Sequence, residues 1–457
     1  MSRREEIAEI RQAAFDGVPD AQYELGCAYA EGLGVPRNPR TALRWFLKSA
    51  EQGHAEAQTA VGYCYLNGEG TAGDDDQAVL WLRRALESGS TDARRYLTGC
   101  RIYGQGMPAE FEAGLAEAEE LFASTEDPEY AYLLACAWSD LRDDESRAQS
   151  WHERAAALGH DESMVWMGYY HRYGIGVPRD LKLAFEWYQR AAEAGNEAGL
   201  ENIAVCYQHG EGVPQDLELA YDYRRQAAER GFSVSRRWLG KHLIHGAGVA
   251  ADPARGISML EALADEDAAA CMMLGEVYYY GEGVDSDLDR ATQWFERAAQ
   301  GDLPEAWTFL GTMAFYGEGR NKDAKLAERL YRQAAERDEP QALYNLAWLL
   351  EERGEETLAL EYLERAAGLG HGPSACLLAE RCLEAEPPQF DRAVEWLEPA
   401  VAEEDPDALF MRAEMLRDGV GGVPDLRAAM ELFHLAQIQG RDTRVERGVL
   451  RRRRRGM

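Results

Sequence analysis

The chain has 457 residues, of which 46% are hydrophobic and 28% are charged, and this composition excludes disorder as its main state. Its 49 Lys and Arg against 81 Asp and Glu give a formal net charge of −32, which argues against general nucleic-acid or anionic-membrane binding and favours neutral or basic partners. Charged residues and glycines interrupt every apolar stretch before it reaches about 20 residues, and no apolar segment follows the basic N-terminus. We therefore expect a cytoplasmic protein without a membrane span.

The first predicted element is a single helix over residues 5–17. It ends with Ala13, Ala14 and Gly17, small residues of the kind that close each of the units that follow. Because no partner helix precedes it, we predict that residues 1–19 form an N-terminal capping helix.

A repeat of about 36 residues begins at Asp20. Its first copy contains an ordered set of small, aromatic and turn residues, namely Ala21, Leu25, Gly26, Tyr29, Gly32, Gly34, Val35, Ala42, Trp45, Ala50 and Gly53. The set recurs along the chain, for example as Met167, Gly168, Gly174, Gly176, Val177, Asp180, Ala184, Trp187, Ala192 and Gly195. The pattern indicates about twelve units between Asp20 and Gly440, so we expect a repeat array rather than one globule.

Each unit is predicted to be a pair of helices, which we call helix A and helix B. Leu25 and Tyr29 are one turn apart and share a face of helix A, whereas Gly26 is a poor helix former whose recurrence indicates close approach of a partner helix. Gly32 supplies the left-handed residue that ends helix A. Asp180 and its equivalents then cap helix B, in which a large ring is flanked by small residues.

A two-helix unit this short cannot bury its own apolar face, so it must be stabilised by stacking on its neighbours. The ordered pattern resembles the Sel1-like repeat, a relative of the tetratricopeptide repeat, over nearly the entire chain. The resemblance implies an all-α fold, a right-handed α/α superhelical solenoid of about twelve helix-turn-helix repeats over residues 20–440. Weaker or shortened repeats are expected at 91–160 and 339–404, and the first of these stretches is the predicted position of a bend.

The C-terminal residues 441–457 include a run of five arginines, Arg451–Arg455. Blocks of like charge are usually disordered, so we predict a disordered basic tail. Such a tail could also contact nucleic acid, an acidic partner or the acidic surface of the protein itself, and the sequence leaves these alternatives open.

All eight cysteines fall in predicted A helices. The resemblance implies that exported relatives join helix A to helix B by disulfides, whereas here no B helix carries a cysteine, so we predict reduced and packed thiols. The sequence also lacks the S-x-x-K, G-x-S-x-G, H-E-x-x-H and phosphate-loop motifs. We therefore predict a protein that is not an enzyme and holds no cofactor.

Two patterns resemble metal sites. Four residues at equivalent A-helix positions of adjacent units could supply zinc ligands, namely Cys206, His209, His242 and His245. A spacing typical of a calcium loop starts at Asp285, but Arg290 replaces its glycine and Asp287 has the position of a helix cap. Packing and capping are the favoured interpretations, and no metal is predicted.

The resemblance also implies that the A helices line a concave surface. Aromatic residues recur at their inward positions, and acidic residues such as Glu201 lie between them. The predicted partner-binding residues are Tyr169, Tyr173, Tyr279, Tyr280, Phe315, Tyr316, Tyr344, Trp348, Glu276 and Glu305. Packing of the turn is an alternative explanation for the recurring tyrosines, because aromatic stripes at helical spacing are usually core.

These observations predict a non-enzymatic interaction scaffold or adaptor. Its aromatic and acidic concave groove would bind a partner protein or peptide that is neutral or basic. The alternative is an inhibitor or immunity-type protein that neutralises a basic target through its acidic surface.

Overall fold

The computed structural model describes residues 3–439, and within this range the chain forms 25 α-helices and no β-strand. A single helix, α1 (Arg3–Phe15), precedes twelve helix pairs. In chain order the paired helices are α2 (Pro19–Glu31), α3 (Pro39–Ala50), α4 (Ala55–Asn67), α5 (Asp75–Glu87), α6 (Thr91–Tyr103), α7 (Phe111–Thr125), α8 (Pro128–Arg142), α9 (Glu145–Ala157), α10 (Asp161–Tyr173), α11 (Leu181–Ala194), α12 (Glu197–His209), α13 (Leu217–Glu229), α14 (Ser233–His245), α15 (Pro253–Glu261), α16 (Ala268–Tyr280), α17 (Leu288–Gln300), α18 (Pro304–Tyr316), α19 (Ala324–Ala335), α20 (Pro340–Glu352), α21 (Glu356–Gly368), α22 (Gly372–Glu384), α23 (Phe390–Ala402), α24 (Pro406–Asp418) and α25 (Leu426–Ile438). The all-α fold of repeated helix pairs is therefore confirmed, whereas the predicted tail at 441–457 lies outside the described residues.

The even-numbered helices are the A helices, and the odd-numbered helices from α3 onward are the B helices. Helix α2 ends at Gly32, which has a left-handed φ of 76° and donates its amide to the carbonyl of Ala28. Helix α11 begins after Asp180, whose carboxylate accepts hydrogen bonds from the amides of Lys182 and Leu183. The structure thus confirms the predicted glycine stop and aspartate cap.

The weaker repeats also fold as helix pairs. Residues 91–127 form the pair α6 and α7, although their sequence keeps little of the pattern. The turn between α8 and α9 lacks the two glycines, and Asp143 takes the left-handed conformation there with a φ of 52°. Asp144 then caps α9 by accepting from the amide of Arg147 at 3.0 Å. A short polar side chain therefore replaces glycine at this turn.

The described residues divide into two compact units between Ser235 and Arg236. The first unit contains α1 to α13, the second contains α15 to α25, and the boundary falls within α14. The predicted division into residues 1–19, 20–440 and 441–457 stays a prediction. No helix of the described chain is both long and apolar enough to cross a membrane, and all eight cysteines are free thiols.

The recurring glycine of helix A makes room for a large side chain of helix B. A Cβ atom at Gly26 would lie 2.5 Å from the Phe46 ring, and one at Gly275 would lie 2.5 Å from the Phe295 ring. Phe295 is fully buried between Ala291 and Ala298 on α17. The close approach predicted from the sequence is therefore present, and an aromatic ring of the partner helix makes it.

We expect Gly275→Ala to lower the free energy of unfolding by about 1–3 kcal/mol, because the added methyl group overlaps the Phe295 ring. Urea denaturation measures this loss. The matched control is Gly368→Ala at the end of α21, where nothing lies within 4 Å of the added atom. Helix propensity favours alanine over glycine in both variants, so a loss of equal size in both would contradict the explanation by the Phe295 contact.

Candidate partner-binding cleft

Three successive A helices of the second unit, α16, α18 and α20, line a cleft of about 690 Å³. Tyr279 and Tyr280 form the end of α16 immediately before its glycine stop, and Phe315 and Tyr316 have the same position on α18. The repeat therefore brings equivalent aromatic residues from adjacent units to the same surface. Six of the ten predicted binding residues line this cleft, and they are Tyr279, Tyr280, Phe315, Tyr316, Tyr344 and Trp348.

The cleft lining is aromatic and uncharged. It comprises eight aromatic side chains, four neutral polar side chains and one leucine, which are Tyr279, Tyr280, Thr308, Phe309, Thr312, Phe315, Tyr316, Tyr331, Gln341, Tyr344, Asn345, Trp348 and Leu349. No Asp, Glu, Lys, Arg or His belongs to this lining. Contact with a ligand here would rest on apolar area and on hydrogen bonds with neutral groups.

The rings pack edge to face and leave large exposed areas. The Tyr279 and Tyr280 ring centroids lie 4.9 Å apart at 87°, and those of Phe315 and Trp348 lie 5.3 Å apart at 85°. Nevertheless Tyr280 is 60% exposed, Tyr316 is 65% exposed and Trp348 is 42% exposed. Neighbouring rings therefore hold these side chains in place while a face or edge of each remains in contact with solvent.

Several polar atoms of the cleft already have partners. The Tyr279 hydroxyl donates to Oε2 of Glu318 at 2.6 Å, and burial, followed by this bond, raises the pKa of Tyr279. The Gln341 amide nitrogen donates to Oδ1 of Asn345 at 3.0 Å. The Thr312 hydroxyl lies 3.1 Å from that of Tyr331. These bonds orient the side chains that form the floor and walls of the cleft.

Other polar atoms of the cleft have no hydrogen-bond partner among residues 3–439. They are Nδ2 of Asn345, Nε1 of Trp348 and the hydroxyl groups of Tyr280, Tyr316 and Tyr344. The amide and indole nitrogens can only donate, and the phenols can donate or accept. The cleft therefore presents both donors and acceptors to a ligand.

The two predicted acidic residues lie outside the lining. The Glu276 carboxylate on α16 is 3.8 Å from the Lys241 ammonium, and burial raises the pKa of Glu276 while Lys241 opposes this effect. Glu305 is an exposed residue in the first turn of α18. The acidic character of the groove remains a prediction about the surroundings of the cleft.

The other two predicted aromatic residues belong to a cluster in the first unit. Tyr169 and Tyr173 lie on α10 with ring centroids 4.6 Å apart, and Trp166 lies 5.5 Å from Tyr169. Tyr169 is 39% exposed and Tyr173 is 54% exposed. This cluster is a separate aromatic surface on an A helix.

The candidate zinc ligands have different surroundings and different hydrogen-bond or ion-pair partners. Cys206 is 1% exposed, Nδ1 of His242 lies 2.6 Å from the carbonyl oxygen of Ala247, and Nε2 of His245 lies 3.2 Å from Glu282. Within the described part of the chain, no three or more His, Cys, Asp or Glu side chains form a group that could hold a metal ion. Asp287 caps α17 by accepting from the amide of Arg290 at 3.0 Å, as the capping interpretation predicted.

Sequence reasoning missed seven residues of the lining, including Phe309, Gln341 and Asn345. Gln341 and Asn345 lie one helical turn apart on α20, and Asn345 lies beside Tyr344. Because residues four apart share a helical face, this pair could have been predicted from the sequence. Tyr331 gave no such signal, because it belongs to a B helix and reaches the cleft through the gap left by Gly311.

Stacked pairs of short helices with an aromatic cleft on successive A helices define an α-helical repeat protein. The family profile described as Sel1 repeat matches residues 19–54, 55–90, 128–160, 161–196, 198–232, 233–267, 268–303, 304–339, 340–371, 373–405 and 406–439. The chain therefore belongs to the Sel1 repeat family. Proteins of this family generally mediate protein–protein interactions.

Solved structures of similar proteins include other Sel1-type chains. A protective antigen of uropathogenic Escherichia coli, c5321, is 25% identical, with 97% of this chain and 93% of that chain covered and a TM-score of 0.43. A Sel1 repeat protein from Oxalobacter formigenes is 26% identical, with coverage of 75% and 89% and a TM-score of 0.37. The immunity protein Pa5087 from Pseudomonas aeruginosa is 16% identical, with coverage of 61% and 81% and a TM-score of 0.29. A comparison with curated proteins finds no match.

Proposed function

We propose that this protein is a non-enzymatic scaffold or adaptor that holds a segment of a partner protein in the cleft of α16, α18 and α20. The observation that carries the proposal is a set of partly exposed rings on successive repeats, above all Tyr280, Tyr316 and Trp348. Tyr280 and Tyr316 have equivalent positions in their repeats, and Trp348 lies beside them on the next A helix. Tyrosine and tryptophan supply a large contact area at low conformational-entropy loss, and they are common binding hot spots.

The chemistry of the cleft supports binding rather than catalysis. A general acid or base, a nucleophile or a metal ligand would normally come from Asp, Glu, His, Cys or Lys, and none of these lines the cleft. Thr308 and Thr312 are the aliphatic hydroxyl groups of the lining, and no histidine accompanies them there to act as a base.

The net charge of the chain supports a neutral or basic partner. The value of −32 creates a negative potential that would attract basic segments and repel acidic ones. Because the lining itself is neutral, this potential would mainly increase the association rate. The rings would supply most of the binding affinity.

A display library of random peptides, selected on the full-length protein, tests the proposal. We expect peptides enriched on the wild type to lose at least about 10-fold in affinity for the variant Tyr280→Ala/Tyr316→Ala/Trp348→Ala. The matched control is Phe15→Ala, which removes a 67% exposed ring from α1. Enriched peptides that bind all three proteins equally would refute a binding role for the cleft.

The same charge favours a second candidate, an inhibitor or immunity-type protein that neutralises one basic target through its acidic surface. Ionic strength separates the two functions, because salt screens exposed charges and has little effect on ring contacts. A target that is released by salt and is insensitive to the triple variant would favour the inhibitor.

A further inference from the structure

The repeat positions that carry exposed rings in the cleft carry carboxylates in the units that follow. Each A helix from α16 to α22 has 13 residues, and its last residue is Tyr280 in α16, Tyr316 in α18, Glu352 in α20 and Glu384 in α22. The same position therefore changes from aromatic to acidic along the order of the helices.

A second acidic residue of α22 has the position that Trp348 has in α20. Trp348 and Glu380 each lie four residues before the end of their helix, so Glu380 and Glu384 share a face of α22. Helices α20 and α22 are neighbours, because the ring centroids of Tyr344 on α20 and His371 at the start of α22 lie 5.3 Å apart. These carboxylates therefore continue the surface of the cleft from α20 onto α22.

Three exposed carboxylates without an ion-pair partner among residues 3–439 form what we call the acidic row, namely Glu352, Glu380 and Glu384. The arginines beside them in the sequence pair with other acids. Arg353 donates to Glu328 at 3.0 Å, and Arg381 pairs with Glu351. The row thus has uncompensated negative charge next to the neutral lining of the cleft, and it would attract a basic segment.

The opposite edge of the cleft differs, because its charges are paired. Helix α14 contains no acidic residue, and Glu276 is the one acidic residue of α16. The Lys241 ammonium on α14 lies 3.8 Å from Glu276, and Nε2 of His245 lies 3.2 Å from Glu282. The electrostatic attraction for a basic segment is therefore concentrated on the side of α20 and α22.

From these observations we propose that the partner segment has two parts. An apolar stretch occupies the cleft of α16, α18 and α20, and lysine or arginine residues next to one end of this stretch contact the acidic row. This proposal rests on the proposed function, because it specifies the ligand of the same cleft. The rings supply contact area, whereas the carboxylates select against acidic segments and determine which end of the ligand lies over α22.

Selection from a display library of random peptides on the full-length protein tests this proposal. We expect the enriched peptides to contain an apolar stretch with Lys or Arg on one side of it. An enriched peptide and a version with every Lys and Arg replaced by Gln are then compared by fluorescence anisotropy. The Gln version should bind about 5-fold more weakly at low salt, and high salt should reduce this difference, because the ion pairs are exposed.

Substitutions in the acidic row locate the basic part of the ligand. Glu352→Gln/Glu384→Gln should bind the basic peptide about 5-fold more weakly and the Gln version as well as the wild type does. The matched control Glu361→Gln/Glu395→Gln changes the net charge equally at exposed positions of the B helices α21 and α23, and it should leave both affinities nearly unchanged. Tyr316→Ala should weaken both peptides by the same factor, and thermal melting verifies that each variant is folded.

Failure of this proposal is distinguishable from failure of the proposed function. Enriched peptides that require the cleft but have no excess of Lys and Arg would overturn the proposal and leave the scaffold function intact. Equal effects of the acidic-row variant and its control would also overturn it, because overall charge would then explain the binding. If no enriched peptide is weakened by Tyr280→Ala/Tyr316→Ala/Trp348→Ala, both proposals fail.

Discussion

Replacement of Arg224 by methionine is expected to lower the free energy of unfolding by about 3–5 kcal/mol, the largest effect that we predict for a single substitution. Arg224 on α13 is 1% exposed. Its Nε donates to Glu201 at 2.8 Å, and its Nη1 donates to Gln208 at 2.5 Å. The Ser235 hydroxyl donates to the other carboxylate oxygen of Glu201 at 2.5 Å. Without the guanidinium, the Glu201 carboxylate would remain buried and uncompensated.

Urea denaturation of three variants separates this effect from a general loss of arginine. Arg225→Met is the matched control, since the neighbouring side chain is 47% exposed and pairs with Asp222 and Glu229 on the surface. It should leave the free energy of unfolding nearly unchanged, because exposed ion pairs contribute little to stability. The double variant Arg224→Met/Glu201→Leu should recover most of the loss, because it removes both charges. A double variant as unstable as Arg224→Met alone would contradict this explanation.

The second large effect is a loss of stability on acidification. His152 on α9 is 2% exposed, its ring stacks on Trp166 at 5.5 Å, and its Nδ1 lies 3.2 Å from the Ser163 hydroxyl. Burial, followed by the nearby His160, lowers the pKa of His152 to about 3. In the unfolded chain a histidine has a pKa of about 6.5.

The sign follows from proton binding. Between pH 6.5 and pH 3 the unfolded state binds a proton at His152 and the folded state does not, so stability falls as the pH falls. Above pH 6.5 His152 is neutral in both states and does not affect the free energy of unfolding. As the pH falls below 6.5, the free energy of unfolding decreases by about 1.4 kcal/mol per pH unit, or by about 2 kcal/mol at pH 5. The lowered pKa of the Glu129 carboxyl adds a loss only below its unfolded value of about 4.3.

Unfolding free energies of the wild type and His152→Gln between pH 5 and pH 8 test this prediction. The wild type should lose stability more steeply below pH 6.5, and the difference in slope should be about 1.4 kcal/mol per pH unit. His371, whose pKa burial also lowers, remains in both proteins and provides a common background. Parallel curves for the two proteins would contradict a buried neutral His152.

The repeat made the fold predictable because its signals are local. A glycine with positive φ, an aspartate cap and residues one helical turn apart act within a few residues, so they can be identified without knowledge of the tertiary structure. The twelve expected units correspond to the twelve observed helix pairs. Even the weak unit at 91–127 folds as a pair, since stacking between neighbouring repeats can compensate for weak local signals.

The candidate site was less predictable because it depends on which helical face is exposed. Glu201 has the appearance of a groove acid in the sequence, yet it is buried against Arg224. Arg224 occupies the position at which Tyr188 and Phe295 meet helix A in other units, and the sequence pattern alone does not show that a charged pair fills this core position. The tyrosines before the turn glycines were found because their position repeats, whereas Tyr331 reaches the cleft only through tertiary packing.

The most direct test of the central claim is affinity capture from a lysate of the cells that produce the protein, at low and at high salt. It compares the wild type, the variant Tyr280→Ala/Tyr316→Ala/Trp348→Ala and the control Phe15→Ala. We predict one partner that the wild type and the control retain at high salt and that the triple variant loses at both salt concentrations. A basic protein that all three forms hold equally at low salt and release at high salt would contradict the cleft and favour inhibition through the acidic surface.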